Sequence, residues 1–340
     1  MWGRDNSFLL HTLKILLWKN GLMGKTLPKN QRVSPEWRLH LGTSVKNLCV
    51  YSPFLGPFFF LVVAFFFVPV VLIAVISFTG MDAGLQWNFV KLAQYQKLLT
   101  DRILFRVLQN TLIYVSCTLI TSVGSGFLIA LLTTYLTENE NIGVFFRAIW
   151  LLPRMTPTVV YALLILWILD PTESGLLNTY TKALFNAPSQ DWVLNYPMVV
   201  IIWLSTLTGA SYAVVIFSSS LKAVPRDYIW AAAVDGASRL KIIYYILMPI
   251  LKWPIMFMTI WQTLSLFTTY ELIFLVTDGG PFFRSETWSL YAYHKAFRYF
   301  EFGYGAAIGM GLVAMGIVVS LLLWKVFGFK KMMEPSKGGV

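Results

Sequence analysis

Charge is scarce in this 340-residue chain: only 13% of its residues are Asp, Glu, Lys or Arg, about half the share of a soluble globular protein. With 57% hydrophobic residues and a mean hydropathy of +0.64, the composition excludes an ordinary cytosolic enzyme and any disordered or collagen-like chain. Cysteine and histidine are nearly missing. Cys49 and Cys117 stand far apart, and His11, His40 and His294 have no metal-ligand spacing, so thiol, zinc and haem chemistry have no support. The net charge of +11 arrives without a run of five basic residues, which argues against nucleic acid as a partner.

What fills the chain is apolar sequence. Six stretches are long enough to cross a hydrocarbon core of about 30 Å, which takes about 20 helical residues. They lie at roughly Phe54–Phe78, Phe105–Leu136, Phe146–Leu169, Met198–Ser220, Ile255–Thr277 and Gly305–Gly328. Continuous apolar runs read as helices rather than barrel strands, which alternate. The expectation is an all-α integral membrane protein in contact with lipid. It divides into a basic extension (1–53), a six-helix domain (54–328) and a short tail (329–340).

Six spans place both termini on one side. Of the 27 lysines and arginines, nineteen fall in the termini and in the second-to-third and fourth-to-fifth connections, against eight in the opposite loops. The positive-inside rule makes the first set cytoplasmic, in a cell or inner membrane. Residues 1–53 lack the long apolar region and cleavage site of a secretory signal; an inner-leaflet amphipathic helix and a loose basic arm both fit them. Lys19 to Thr26 ends like a phosphate-binding loop, but Lys19 stands at its first glycine position and Pro28 follows closely. That segment is a poor nucleotide site.

The connection from Leu221 to Pro254 is the most informative. Pro225 suits a first helical turn, and Asp227 favours a helix N-terminus. Ala231, Ala232 and Ala233 give a small-residue surface that another protein can approach. Gly236 can end that helix with positive φ, and Ser238 can cap the next. Two short helices joined by a glycine turn are expected to project into the cytoplasm.

This segment resembles the EAA loop of permease subunits in binding-protein-dependent ABC importers, whose pattern is E-A-A-x-x-D-G-A followed by P. Ala231, Ala232, Asp235, Gly236, Ala237 and Pro249 match. Trp230 replaces the glutamate, which removes a charge from the loop but leaves its shape. The likeness continues through Ser77-Phe78-Thr79, Asn110-Thr111-Leu112, Ala130-Leu131-Leu132, Trp150-Leu151-Leu152-Pro153 and Gly175-Leu176-Leu177-Asn178. Val276-Thr277-Asp278-Gly279-Gly280-Pro281, with Tyr291, Ala296-Phe297 and Gly303-Tyr304-Gly305-Ala306-Ala307, is similar to the maltose- and oligosaccharide-importing branch.

The resemblance implies a type I ABC importer permease fold and a translocating subunit rather than an enzyme. Its partners would be a second permease (a different chain in the carbohydrate branch), two ATPase subunits and an extracytoplasmic solute-binding protein. ATP and magnesium would be used by the ATPase partners, with no cofactor bound by this chain.

Polar side chains inside spans are costly facing lipid and so mark a water-filled path or a helix contact. The fifth span offers Gln262, Ser265, Thr268, Thr269 and Glu271, with Gln262, Ser265 and Thr269 on one helical stripe. The fourth offers Ser205 and Tyr212. Helix–helix hydrogen bonding competes with substrate contact for the hydroxyls, and a salt bridge near the outer surface competes for Glu271. Gly124, Gly126, Gly305, Gly309 and Gly311 read as packing positions. No cation stands securely inside the spans, which favours a neutral sugar over an anion such as a glycerol phosphoester. A stand-alone ion-coupled carrier is the rival of a different class; only Glu271 speaks for it.

Overall fold

A computed structural model describes residues 56–327. The readings made for residues 1–53 and 329–340, including Cys49 and the Lys19–Thr26 segment, lie outside the described residues. The described residues form helices and connecting turns, with one isolated bridge between Thr79 and Phe89 and no strand among them. Among the described residues four helices are long and apolar enough to cross a membrane: α1 (Gly56–Ile76), α3 (Arg102–Leu136), α8 (Pro197–Lys222) and α14 (Phe302–Phe327). The count rises to six if each of two bent pairs is one span. Between α1 and α3 lies the short α2 (Ala93–Thr100).

The third and fifth expected spans are not continuous helices. α4 (Glu140–Met155) and α5 (Thr158–Ile168) meet at 100°. Pro157 explains the break: its ring pushes the preceding residue out of the helical region, and Thr156 is extended with ψ 131°. α10 (Arg239–Ile250) and α11 (Lys252–Thr268) meet at 66°, three residues before Pro254, which has no N–H for the Ile250 carbonyl. α11 then stops short of the expected Thr277. The Ser265 carbonyl there accepts from both threonine hydroxyls, Thr268 at 3.0 Å and Thr269 at 2.8 Å, and such back-bonding weakens a helix end. A separate short α12 (Glu271–Val276) follows. Two small helices, α6 (Leu176–Phe185) and α7 (Trp192–Asn195), connect α5 to α8, and α9 (Arg226–Val234) connects α8 to α10. α13 (Trp288–Tyr293) precedes α14.

α3 and α8 form the centre and run in the same direction. Tyr114 and Ser205 hydroxyls are 2.9 Å apart at one level, and Phe127 meets Phe217 edge-on further along. Gly126 permits the contact, because a Cβ there would strike the Ala213 methyl. Gly305 and Gly311 likewise lie against Ala296 and Trp288, whereas Gly124 and Gly309 have nothing within 4 Å. At one end, Arg147 donates to the Thr133 carbonyl at 2.6 Å and pairs with Glu140 at 2.7 Å, and Lys222 reaches the same carboxylate at 2.6 Å. The α3–α4 connection and the end of α8 therefore share one face. At the other end, Asp101 caps α3 and accepts from Tyr291 at 2.6 Å and Tyr304 at 2.7 Å.

Overpacking of this kind costs about 1–3 kcal/mol. Gly126→Val is expected to lower the melting temperature of the detergent-solubilised protein, while Gly124→Val leaves it nearly unchanged; equal melting of the two variants would contradict the close α3–α8 contact.

Candidate functional site

The hairpin of α9 and α10 is closed by a Schellman turn. The Ala237 N–H donates to the Ala232 carbonyl at 2.9 Å and the Gly236 N–H to that of Ala233 at 3.1 Å, around Gly236 at φ +76°. A Cβ on Gly236 would meet nothing within 4 Å, so glycine serves the backbone there rather than space. Ala232 and Ala237 lean on the apolar cluster of Phe217, Leu221, Ile242, Leu247 and Leu251. Ala231, Asp235 and Pro249 are exposed, as are Trp230 at 60%, Val234 at 88% and Leu240 at 78%. Pro225 stands just before α9 rather than within its first turn, and Ser238 occupies the cap position without a capping bond from its hydroxyl. A π-type turn at Ile243–Leu247 precedes Pro249, which cannot donate to the helix ladder.

The polar residues expected along a path separate into two groups. Gln262 and Ser205 are buried. The Gln262 amide fills the space beside Gly209 and Ser122, and Ser205 bonds Tyr114; both sit in the α3–α8–α11 packing. Ser265 and Thr268 are exposed on α11 beside Trp261. Thr269 is half-buried past the end of α11, and Glu271 opens α12, exposed and, among the described residues, not ion-paired. Tyr212 is half-buried, 6.3 Å from the Trp261 ring, with the Arg154 guanidinium 4.8 Å from its own ring. The Gln262, Ser265 and Thr269 stripe therefore does not face one space.

Beyond the residues singled out by sequence, the loop after α12 folds around a buried charge network. His294 Nδ1 lies 2.8 Å from Glu286 and Nε2 lies 2.8 Å from Asp278, which also accepts from Arg298 at 2.6 Å. Glu286 is 2% exposed. Asp278 and Gly279 take φ of +48° and +75°, and a side chain on Gly279 would fall on the Glu286 carboxylate. Burial pushes the His294 imidazole down, but the Glu286 and Asp278 carboxylates outweigh it and hold it above its ordinary 6.5. At the neighbouring anchor, burial pushes the Asp101 carboxyl up, yet hydrogen bonds from Tyr291, Tyr304 and the Ile103 N–H hold it below its usual 3.8. No spacing rule reveals the His294 network, whose partners lie 8 and 16 positions from the histidine.

A histidine with a raised folded value stabilises fully below its unfolded value, near pH 6.5, and the benefit fades as pH rises through the higher folded one. The melting temperature of the purified protein is expected to fall across that window. His294→Gln should flatten that slope and cost about 1–3 kcal/mol at low pH, since it strips the buried Glu286 of its charged partner. A wild-type curve flat from pH 6 upward, where about 6.5 is the unfolded reference, would refute the network's role.

Comparisons with known proteins agree with this architecture. The binding-protein-dependent transport system inner membrane component family matches residues 126–335. The probable ABC transporter permease protein PH1215 of Pyrococcus horikoshii is 30% identical over 281 residues, covering 81% of this chain and 95% of the relative. The arabinooligosaccharides transport system permease protein AraP of Bacillus subtilis is 29% identical over 279 residues, covering 81% and 87%. A chain of the bacterial alginate ABC transporter, in complex with alginate pentasaccharide-bound periplasmic protein, superposes with a TM-score of 0.74 at 18% identity, covering 88% of this chain and 99% of that one. The chain belongs to the family of binding-protein-dependent transport system inner membrane components, and is a membrane permease subunit rather than an enzyme.

Proposed function

We propose that this chain is one half of the translocation path of an ATP-driven importer for a sugar or oligosaccharide. The α9–α10 hairpin carries the reading: a rigid glycine-closed projection with Trp230, Val234 and Leu240 exposed at its end, a surface suited to an ATPase partner. Its contact residues are Ala231, Ala232, Asp235, Gly236, Ala237 and Pro249. The sugar class is supported by the similarity to the arabinooligosaccharide permease over 81% of the chain.

Counting each bent pair as one span gives six, and the cation-rich face that holds Arg147 and Lys222 then lies in the cytoplasm with both termini. Two ATPase subunits bind below and use ATP and magnesium; this chain binds no cofactor. A second, different permease completes the channel, and a solute-binding protein delivers substrate at the face of Asp101. ATP favours the closed ATPase dimer, and the work done equals its differential affinity for that state. Ser265 and Thr268, exposed on α11, are the path candidates best placed to meet substrate, with Thr269 and Glu271 beyond them.

Gentle-detergent affinity purification of the tagged chain, read by mass spectrometry, is expected to recover an ATPase and a second multi-span subunit. A lone homomer that moves solute into vesicles without ATP would overturn the reading. Gly236→Val forces a β-branched residue to positive φ at a cost of about 1–2 kcal/mol. It is expected to abolish uptake or detach the ATPase, and transport at the wild-type rate would count against the coupling role.

A further inference from the structure

We infer that the outer end of this half-channel holds a binding site for the acidic group of an anionic saccharide, a reading that rests on the importer function proposed above and narrows its substrate class. A cavity of about 350 Å³ is lined there by Arg106, Asn110, Asn195, Tyr196 and Arg284, within the range of small-molecule sites. A second cavity of about 380 Å³ adjoins it, sharing Arg106 and adding Arg102. Among the described residues none of the three arginines makes an ion pair; Arg106 reaches only the Phe282 carbonyl, at 3.4 Å.

Helix stability does not explain these arginines. Arg102 is the first residue of α3 and Arg106 lies one turn on, with no acid in that turn. Cations at a helix N-terminus oppose its dipole, and like charges at i and i+4 repel. The Asp101 cap offsets part of this cost, but neither arginine adds to helix stability, and what the two have in common with Arg284 is the pair of adjoining cavities they line. Arg284 is held in place independently: Asn110 donates to the Phe283 carbonyl at 2.7 Å and to that of Glu286 at 3.1 Å, and the Arg284 N–H donates to Pro281 at 3.0 Å. The loop backbone is thus pinned to α3, which places Arg106 and Arg284 on the lining of one cavity before any ligand arrives.

Guanidinium forks match carboxylate, sulfonate and phosphate oxygens, and the exposed Tyr196 ring offers a sugar an aromatic face. A concave pocket of this size suits a saccharide unit better than a protein surface. The lack of a cation securely inside the spans favours a neutral sugar; Arg102 and Arg106, in the first turns of α3, stand at the mouth of the path instead.

The test is titration of the purified chain, with whatever subunits accompany it, against trigalacturonate and a neutral galactotriose. The uronate is expected to bind at least about ten-fold more tightly, a gap of about 1.4 kcal/mol, and the gap should shrink with added salt. R106Q/R284Q should erase it, R106K/R284K should retain part of it, and K182Q, which removes a charge outside the cavity, should preserve it. Equal binding of the two trisaccharides, or an unchanged preference in R106Q/R284Q, overturns the proposal. So does a double variant that keeps the preference but loses the purified solute-binding protein, which would make the arginines a protein-docking surface. The titration needs no nucleotide, so failure of the importer reading appears separately, as absence of an ATPase among the co-purified chains.

Discussion

The contact between α3 and α8 sets the rest of the molecule. In lipid there is no hydrophobic gain from burying one apolar helix against another, so close backbone approach and hydrogen bonds must hold the pair. Gly126 against Ala213 supplies the first and Tyr114 with Ser205 the second. Because the two helices run in the same direction, the chain between them must return across the same distance, and α4 and α5 do so as a bent pair. The ends of α3 then become fixed points. Arg147 ties one end to Glu140 and, through it, to Lys222; Asp101 ties the other to Tyr291 and Tyr304.

Charged groups gather at these two ends, where water or a partner can satisfy them, and between them hydroxyls bond either across helices, as Tyr114 and Ser205 do, or within their own helix. Thr259 and Thr263 each donate to the carbonyl four residues back. Such bonds need no neighbour. They let a side chain remain polar on a helix that slides or tilts against others, whereas the Glu286–His294–Asp278 network cannot move without breaking charged bonds in a buried setting. Among the described residues, the loop after α12 is therefore a stiff part of the molecule.

Hydropathy located the four long helices within three residues at each end, because an apolar run has one reading at that length. It missed the breaks at Thr156 and Leu251 because averaging over a window hides a single proline. The hairpin was legible from Gly236 and its alanines, since a Schellman turn is a local device built from adjacent residues. Periodicity puts Gln262 on one stripe with Ser265 and Thr269 but does not give what covers it; Gly209, on another helix, makes the room it fills. The His294 network and the arginine cavity were invisible for the same reason. They depend on positive φ at Asp278 and Gly279 and on where helix ends converge.

The 66° elbow at Leu251 has a mechanical meaning. α10 is one arm of the hairpin and continues through that elbow into α11, whose Gln262 is wedged between α3 and α8. Leu251 is buried against Phe217 and Leu247, so the joint is packed rather than loose. A thrust along α10 cannot be absorbed by bending there, and at that angle most of it reaches α11 sideways rather than lengthwise. The elbow, set where a proline withholds one hydrogen bond, is thus the place where displacement along α10 would become displacement across α11.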